Sequence, residues 1–384
     1  MFRSRLTMLS ILGALHLMVA VSLIPFLPVP VSVKVLAVLI LVASFVLLPM
    51  GFRSRGIDSR ALAWASLMAM GIFSGLAVFS IVRGVVLAVA ALAGVTIAGP
   101  WAEYSAVAVL VAVAVETLFG VFFARRLAPV KTVEIPLANL PPAFDGFTIV
   151  QISDIHVGPT IKHAYIRRIV DRVNSLEADY VAITGDLVDG SVQQLSSHIA
   201  PLGEVRGRSG VGVVTGNHEY YSGAPAWVAE LRRMGLPVLM NEHRVIERDR
   251  AYLVIAGITD YSAGLFEPSH RSDPQAAIRG APVDACKVLL AHQPRSAKGA
   301  EEAGFDLQLS GHTHGGQFWP WVHFVRLQQP WVAGIHRLGR LTIYISRGTG
   351  YWGPPIRFAA PSEITRIRLR ATSANKPTDQ GKDR

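Results

Sequence analysis

Cysteine is almost absent from this chain: Cys286 is the only one among 384 residues. A single thiol can form neither an intramolecular disulfide nor a thiolate metal cluster, so any metal must be held by histidine and carboxylate. Charge is scarce as well, at 17% of residues against 51% hydrophobic, and the shortage is uneven. Residues 1–131 contain only three acidic side chains, Asp58, Glu103 and Glu116, against ten basic ones, which places +7 of the net +10 in the first third and +3 in the rest. A nucleic-acid surface would carry that excess on the folded domain. Here it flanks apolar runs, which argues against nucleic acid and for a membrane. The apolar content excludes disorder as the main state, and the length suggests about two domains.

Residues 6–33, 35–52 and 62–82 contain one uncharged run after another, and 104–124 is a fourth interrupted only by Glu116. Each is long enough for a transmembrane helix, which needs roughly 20 apolar residues. A fifth stretch, 84–102, is also uncharged but contains Gly94, Gly99 and Pro100. Charge arbitrates. Arg3 and Arg5, then Arg53, Arg55 and Arg60, then Arg125, Arg126 and Lys131 all fall on one side if there are four spans. A fifth span would move the last cluster across the bilayer, so 84–102 is expected to extend the third helix or lie in the interface. The positive-inside preference then puts the rest of the chain in the cytoplasm, attached to the cell membrane by several passes. No small-x-small cleavage site follows the first run, which disfavours a removable signal peptide. Glu116, costly inside a bilayer, reads as a functional or bundle-internal polar contact or as a glutamate with no role, and His16 as incidental.

Beyond residue 147 short β-branched runs alternate with amphipathic segments. Strands are expected at 148–152, 180–184, 211–215, 253–258, 288–291, 307–309, 341–345 and 364–369, with a helix over 161–176. This is an α/β domain. The expected organisation is a transmembrane region at 1–124, a proline-containing connector at 125–146, the α/β domain at 147–370 and a polar, disordered tail at 371–384.

Polar clusters stand where the strands stop: Asp154-Ile155-His156, Gly185-Asp186-Leu187-Val188-Asp189, Gly216-Asn217-His218-Glu219, Ala291-His292 and Gly311-His312-Thr313-His314. Loops at the carboxyl ends of strands build sites in α/β sheets, so distant residues can converge there. Asp carboxylate, Asn carbonyl and imidazole suit divalent metals of hard to borderline character, and one carboxylate can bridge a pair roughly 3.5–4 Å apart. Taken singly, Asp154 or His292 is more often a turn cap or a satisfied histidine. Five clusters in order are another matter.

The stretches SDIHVG, ITGDLVDG, TGNHEYYSG, LLAHQP, DLQLSGHTHGGQ and SRGTGYWGPP resemble the calcineurin-like metallophosphoesterases, and in particular their membrane-anchored bacterial branch. The resemblance covers about residues 145–370 and implies a calcineurin-like α/β sandwich with two divalent transition metal ions, whether Mn, Fe, Zn or Ni. It implies that Asp154, His156, Asp186 and His314 bind one metal and that Asp186, Asn217, His292 and His312 bind the other, with Asp186 as the bridge. It further implies that His218 contacts the phosphoryl group or protonates the leaving oxygen, with Asp189 orienting it. Asp189 has an alternative role as the cap of a helix starting near residue 192. Glu219 reads as structural, His163, His198, His243, His270, His323 and His336 as surface or structural, and Cys286 as a small core residue.

Gln317, Phe318, Trp319 and Trp321, together with Arg347, Tyr351 and Trp352, are the candidates for substrate choice, since arginine suits phosphate and aromatics suit an acyl or nucleoside group or the membrane interface. Ordinary loop packing explains the aromatics almost as well. The expected function is a membrane-anchored phosphoesterase acting on a diester or a lipid-linked pyrophosphate, such as the nucleotide-activated lipid A precursor cleaved by UDP-2,3-diacylglucosamine hydrolases, through water activated by two metals. The rival is a non-catalytic membrane receptor or scaffold that binds a phosphorylated ligand. Oligomeric state stays open.

Overall fold

The computed structural model describes residues 2–51, 59–95 and 97–372. Contacts divide the chain into two compact units.

Among the described residues the first unit holds four long helices, α1 (Phe2–Leu23), α2 (Val31–Gly51), α3 (Arg60–Leu92) and α4 (Pro100–Arg125). All four are long and apolar enough to cross a membrane. Their hydrophobic residues do not confine themselves to one stripe, and those of α2 point outward almost everywhere: Leu36, Leu39 and Ile40 are more than half exposed. A helix apolar all round is a helix whose surroundings are apolar. A small core of Val19, Leu23, Leu48, Phe73, Ala77, Ala106 and Val109 joins the four. Of the ambiguous stretch 84–102, residues 84–92 extend the third helix and residues 100–102 open the fourth. Serine starts the third: the Ser59 hydroxyl accepts from Leu62 N at 3.3 Å.

His16, read from sequence as incidental, is packed and hydrogen-bonded. Its ring stacks on Phe73 with centroids 3.7 Å apart, and its Nδ1 lies 2.8 Å from the Leu12 carbonyl. Glu116 is buried inside the bundle, where a Cβ on Gly75 would lie 2.9 Å from its Oε2. The same unit also includes Gln317–Pro320 and Tyr351–Ala359, two pieces from far along the chain.

The second unit is built on two sheets. In chain order its elements are β1 (Val130–Leu137), β2 (Thr148–Ile152), α5 (His163–Asn174), β3 (Tyr180–Ile183), α6 (Val192–Ile199), β4 (Val211–Val213), α7 (Asn217–Tyr221), α8 (Ala224–Arg233), β5 (Glu242–Arg248), β6 (Ala251–Gly257), α9 (Pro274–Ala277), β7 (Cys286–Leu290), α10 (Ala297–Glu302), β8 (Leu307–Ser310), α11 (Trp321–Val325), β9 (Gly334–Leu338), β10 (Leu341–Ile345) and β11 (Ile364–Ala371). One sheet runs β1-β11-β2-β3-β4 and the other β5-β6-β7-β8-β10-β9. In the first, β2, β3 and β4 are mutually parallel. In the second, β6, β7, β8 and β10 are parallel.

The sheets pack face to face through one core that takes Ile149, Ala182 and Ile367 from one and Ile255, Val288, Leu290, Leu309 and Tyr344 from the other. The outer face of the second sheet is covered by α10, whose Ala297 and Ala300 meet Val254, Leu289 and Ile343. Strands buried on both faces read as continuous apolar runs, which is why β2, β7 and β10 are legible without alternation. On α5 the buried residues Tyr165, Ile166, Ile169, Val170 and Val173 recur at helical spacing.

Three strands escape the sequence pattern. The expected connector at 125–146 contains β1, which lies parallel to β11 with Val130 opposite Ile364. Strands β5 and β9 are edge strands of charged and half-exposed residues, such as Glu242-His243-Arg244, and have no apolar run to betray them. Of the expected tail at 371–384, residues 373–384 lie outside the described residues.

Candidate metal centre

Each strand that runs into the site delivers a ligand-type residue within a few positions of its carboxyl end. Asp154 and His156 follow β2, Asp186 and Asp189 follow β3, Asn217 and His218 follow β4, His292 follows β7, and His312 and His314 follow β8. Both sheets contribute, rather than the edge of a single open one. Backbone bonds zip the first two loops together, Asp154 N to Gly185 O at 3.0 Å and His156 N to Asp186 O at 3.1 Å. Gly311 lets a third loop close over them, since a Cβ there would collide with Ser153 Oγ and Asp154 Oδ2. His312 N can therefore donate to both Asp154 carboxylate oxygens, at 2.9 and 3.1 Å.

The backbone is held away from its comfortable conformations here. Asp154, His156, Asp186, His312 and His314 all have φ between 51° and 71°, in the left-handed region that costs a residue with a Cβ about 1–2 kcal/mol. Such strain persists where the surroundings over-determine it, typically at functional sites.

The side chains of the expected ligands converge in two groups, Asp154 with His156 and His314, and Asp186 with His292 and His312, and a third group, His156 with Asp189 and His218, shares His156 with the first. His156 Nε2 lies 3.0 Å from His314 Nε2, and His314 Nε2 lies 3.5 Å from Asp154 Oδ1. On the other side His292 Nε2 is 3.0 Å from Asp186 Oδ2 and 3.2 Å from His312 Nδ1. Asp186 Oδ2 also lies 3.8 Å from His156 Nε2, so this one oxygen faces both groups. Asn217 Oδ1 is buried without a hydrogen-bond partner.

These residues fit a pair of cations. Donors sharing one metal at about 2.0–2.2 Å stand roughly 3–3.5 Å from one another, which is how these nitrogens and oxygens are spaced. An orphaned buried carbonyl and imidazole nitrogens facing each other are what a cage for cations presents and what a satisfied core avoids.

The outer contacts set the tautomers. His292 Nδ1 is 2.7 Å from Thr184 O, which leaves Nε2 for the site. Asp189 lies 3.2 Å from His156 Nδ1 through Oδ2 and 2.5 Å from His218 Nδ1 through Oδ1. It therefore holds two histidines, one more than the sequence reading assigned to it, and both present Nε2 inward. The capping alternative is taken by another residue: Ser191 forms a capping box with Gln194 at the start of α6.

Glu219 is a further organiser. Its buried carboxylate accepts from Asp186 N (2.9 Å), Leu187 N (2.7 Å) and Gly216 N (2.6 Å), clasping the loops after β3 and β4. Nothing in its neighbourhood in sequence marks that reach.

Electrostatics follow from the crowding. Burial works against the charged form of Asp186, but His292 and His218 hold its carboxyl well below the usual range. Burial likewise opposes a charged His292, which Asp186 pushes well above the ordinary histidine value. Burial and then His292 push His312 down to about 3. Burial raises Asp154, and burial followed by Asp186 brings Glu219 up to about 7.

The substrate candidates divide. Arg347 stays with the site: its side chain packs over Gly315, next to His314, where a Cβ would come within 2.9 Å of Arg347 Cγ. Tyr351 is buried in the helical unit, and its hydroxyl accepts from Arg125 Nη1 at 2.9 Å. Trp352 is 47% exposed in that same unit. Cys286 is fully buried in the core between the sheets.

Residues 147–316 match the family model for calcineurin-like phosphoesterases. A protein of Danio rerio named transmembrane protein with metallophosphoesterase domain is 39% identical over 269 residues, covering 68% of this chain and 62% of that protein. An uncharacterized metallophosphoesterase of Helicobacter pylori (strain 26695) is 36% identical over 257 residues, 66% of this chain and 68% of the relative. One from Aquifex aeolicus is 32% identical over 225 residues, 58% of this chain and 84% of the relative. The chain thus spans less than two thirds of the length of the Danio rerio protein. Four helices among the described residues are long and apolar enough to cross a membrane, and the Danio rerio relative is named a transmembrane protein. On these matches and the ordered ligand clusters, the chain belongs to the calcineurin-like metallophosphoesterase family.

Proposed function

We propose that this chain is a multi-pass membrane hydrolase that splits a phosphate ester, a diester or a lipid-linked pyrophosphate, at a dinuclear metal site. What carries the reading is the place of Asp186 Oδ2, which faces His292 at 3.0 Å on one side and His156 at 3.8 Å on the other. One metal would be held by Asp154, His156, Asp186 and His314, the other by Asp186, Asn217, His292 and His312. Two divalent cations, when bound, supply Lewis acidity toward water and toward the non-bridging phosphoryl oxygens.

The protein's own groups do the rest. His218 presents Nε2 4.0 Å from Asp186 Oδ2, while Asp189 keeps a proton on Nδ1 and stabilises the imidazolium. As the bond from water oxygen to phosphorus forms and the bond to the leaving oxygen breaks, the water releases a proton to solvent and His218 Nε2 gives its own to the leaving oxygen, to be restored from solvent after product leaves. Arg347, packed beside His314, offers a guanidinium to the phosphate. No covalent enzyme intermediate is required.

A substrate anchored in the same bilayer meets the site at high effective concentration, which favours a lipid-linked phosphate over a soluble one. The three basic clusters favour a cytoplasmic catalytic unit. The test is an assay of the full-length protein in membranes, with added Mn(II), on bis-p-nitrophenyl phosphate and on a panel of phospholipids and nucleotide-activated lipids. Turnover of a lipid is expected. Turnover of soluble nucleotides alone rejects the lipid substrate, and no turnover of any phosphoester by metal-loaded protein overturns the hydrolase in favour of a binding module. Protease accessibility of residues 127–146 in sealed vesicles checks sidedness.

A further inference from the structure

Two short pieces that lie far beyond the spans in sequence, Gln317–Pro320 and Tyr351–Ala359, are packed into the unit of helices α1–α4. Ile356 is the peg that seats the longer one. Its Cδ1 lies 2.5 Å from where a Cβ on Gly71 of α3 would stand, and its Cγ2 crowds the same point on Gly120 of α4. A side chain at either glycine would fill the notch. Arg357 N donates to the Gly120 carbonyl at 2.8 Å, and Trp319 stacks on Phe79 of α3 with centroids 5.3 Å apart.

Gln317 binds the two pieces together. Its Nε2 donates to the carbonyls of Trp352 (2.8 Å) and Pro354 (3.1 Å), its Oε1 accepts from Trp352 N at 2.9 Å, and its own carbonyl accepts from Phe358 N at 3.1 Å.

The depth of these contacts is legible on the helices. Arg125, which ends α4, lies over the Trp64 ring at 5.3 Å and marks the charged boundary of the bundle. Gly71 is seven residues past Trp64, about 10 Å along α3, and Gly120 five residues before Arg125, about 8 Å along α4. Phe79 lies still farther in, and no charge interrupts α3 between Arg60 and Arg83. Irregular backbone at such depth must be satisfied by protein, and Gln317 and the Gly120 carbonyl do that here. What the pieces leave uncovered is Trp352 and Ala359, with Trp319, Pro320, Gly353 and Phe358 half-buried.

We propose that Gln317–Pro320 and Tyr351–Ala359 form a re-entrant pair of loops inside the bilayer, with Trp352, Phe358 and Ala359 against acyl chains. Gln317 follows His314 by three residues, and Tyr351 follows Arg347 by four. Resting on the hydrolase reading, the consequence is a substrate class: phosphate esters of acyl-bearing lipids whose tails stay in the leaflet.

The test is a nitroxide spin label on Ala359→Cys or Trp352→Cys in the full chain, reconstituted in phosphatidylethanolamine–phosphatidylglycerol vesicles. Cys286 is buried, and wild-type protein treated with the same reagent verifies its silence. Collision with oxygen, which partitions into lipid, is compared with collision with a water-soluble nickel chelate. Labels on Leu39→Cys in the middle of α2 and Val283→Cys, 85% exposed on the catalytic unit, supply the two extremes.

Oxygen-to-nickel ratios at 352 and 359 like that at 39 are expected; ratios like that at 283 overturn the loops. Gly120→Val should shift the label at 359 toward nickel, and adding Ile356→Ala should restore it. Failure of that rescue in folded protein overturns the peg. A lipid-immersed label in a chain with no phosphoesterase activity supports the loops while rejecting the hydrolase, and a water-exposed label in an active chain rejects the loops alone.

Discussion

The helical and catalytic units both bury charged side chains, and they do so for opposite ends. In the helical unit Arg83 donates to Ser22 O at 2.8 Å, Ala102 O at 3.1 Å and Ser105 Oγ at 2.9 Å. Ser22 O belongs to the last turn of α1, where carbonyls lack an intrahelical partner, and Ala102 O to the first turn of α4. Each guanidinium nitrogen finds an acceptor, and the result is a clasp. In the catalytic unit Asp154, Asp186, His156, His292, His312 and His314 are packed nitrogen to nitrogen and nitrogen to oxygen, with Asn217 Oδ1 left over. A satisfied buried network fastens a fold, whereas a crowded one short of positive charge awaits a ligand.

Substitutions can sharpen that contrast. The largest effect is expected for Asp186→Ala, which removes the oxygen facing both groups; metal content by elemental analysis should fall together with turnover, and full retention of two metals would break the comparison. Next comes His218→Ala, with kcat lower by about 10²- to 10⁴-fold and metal content unchanged, since the group it forms with His156 and Asp189 contains only one proposed ligand, His156. Asp189→Asn should cost about 10- to 100-fold in metal affinity or activity; because Asp189 touches both His156 and His218, kcat and metal affinity should fall together, and a change in kcat alone would reduce it to a partner of His218.

Arg83→Ala should leave bound metal unchanged while lowering stability by on the order of 2 kcal/mol, read as a lower thermal midpoint. The smallest effect concerns Cys286: burial pushes its thiol far up, so alkylating reagents should leave it unmodified in the folded chain and react only on unfolding.

Much of this was written in the local pattern. The strands at 148–152 and 341–345 announce themselves as fully buried β-branched runs, and the ligand clusters stand out because polar residues rarely interrupt such runs. Strands β1, β5 and β9 were hidden, since an edge strand is held by backbone pairing and needs no apolar face. The double duty of Asp189 was hidden too. A carboxylate can reach two histidines 33 and 29 residues away only when the strands have already brought the loops together.

By itself the amino-acid order determined the four apolar helices, the buried strands and the candidate donors, because hydrophobic period and side-chain chemistry are local properties. Only the tertiary structure decided that two sheets share the site, that five of its residues are held at positive φ, that Glu219 clasps two loops and that Ile356 lodges between Gly71 and Gly120. Each of these depends on distances between segments tens or hundreds of residues apart, and such distances are set by packing.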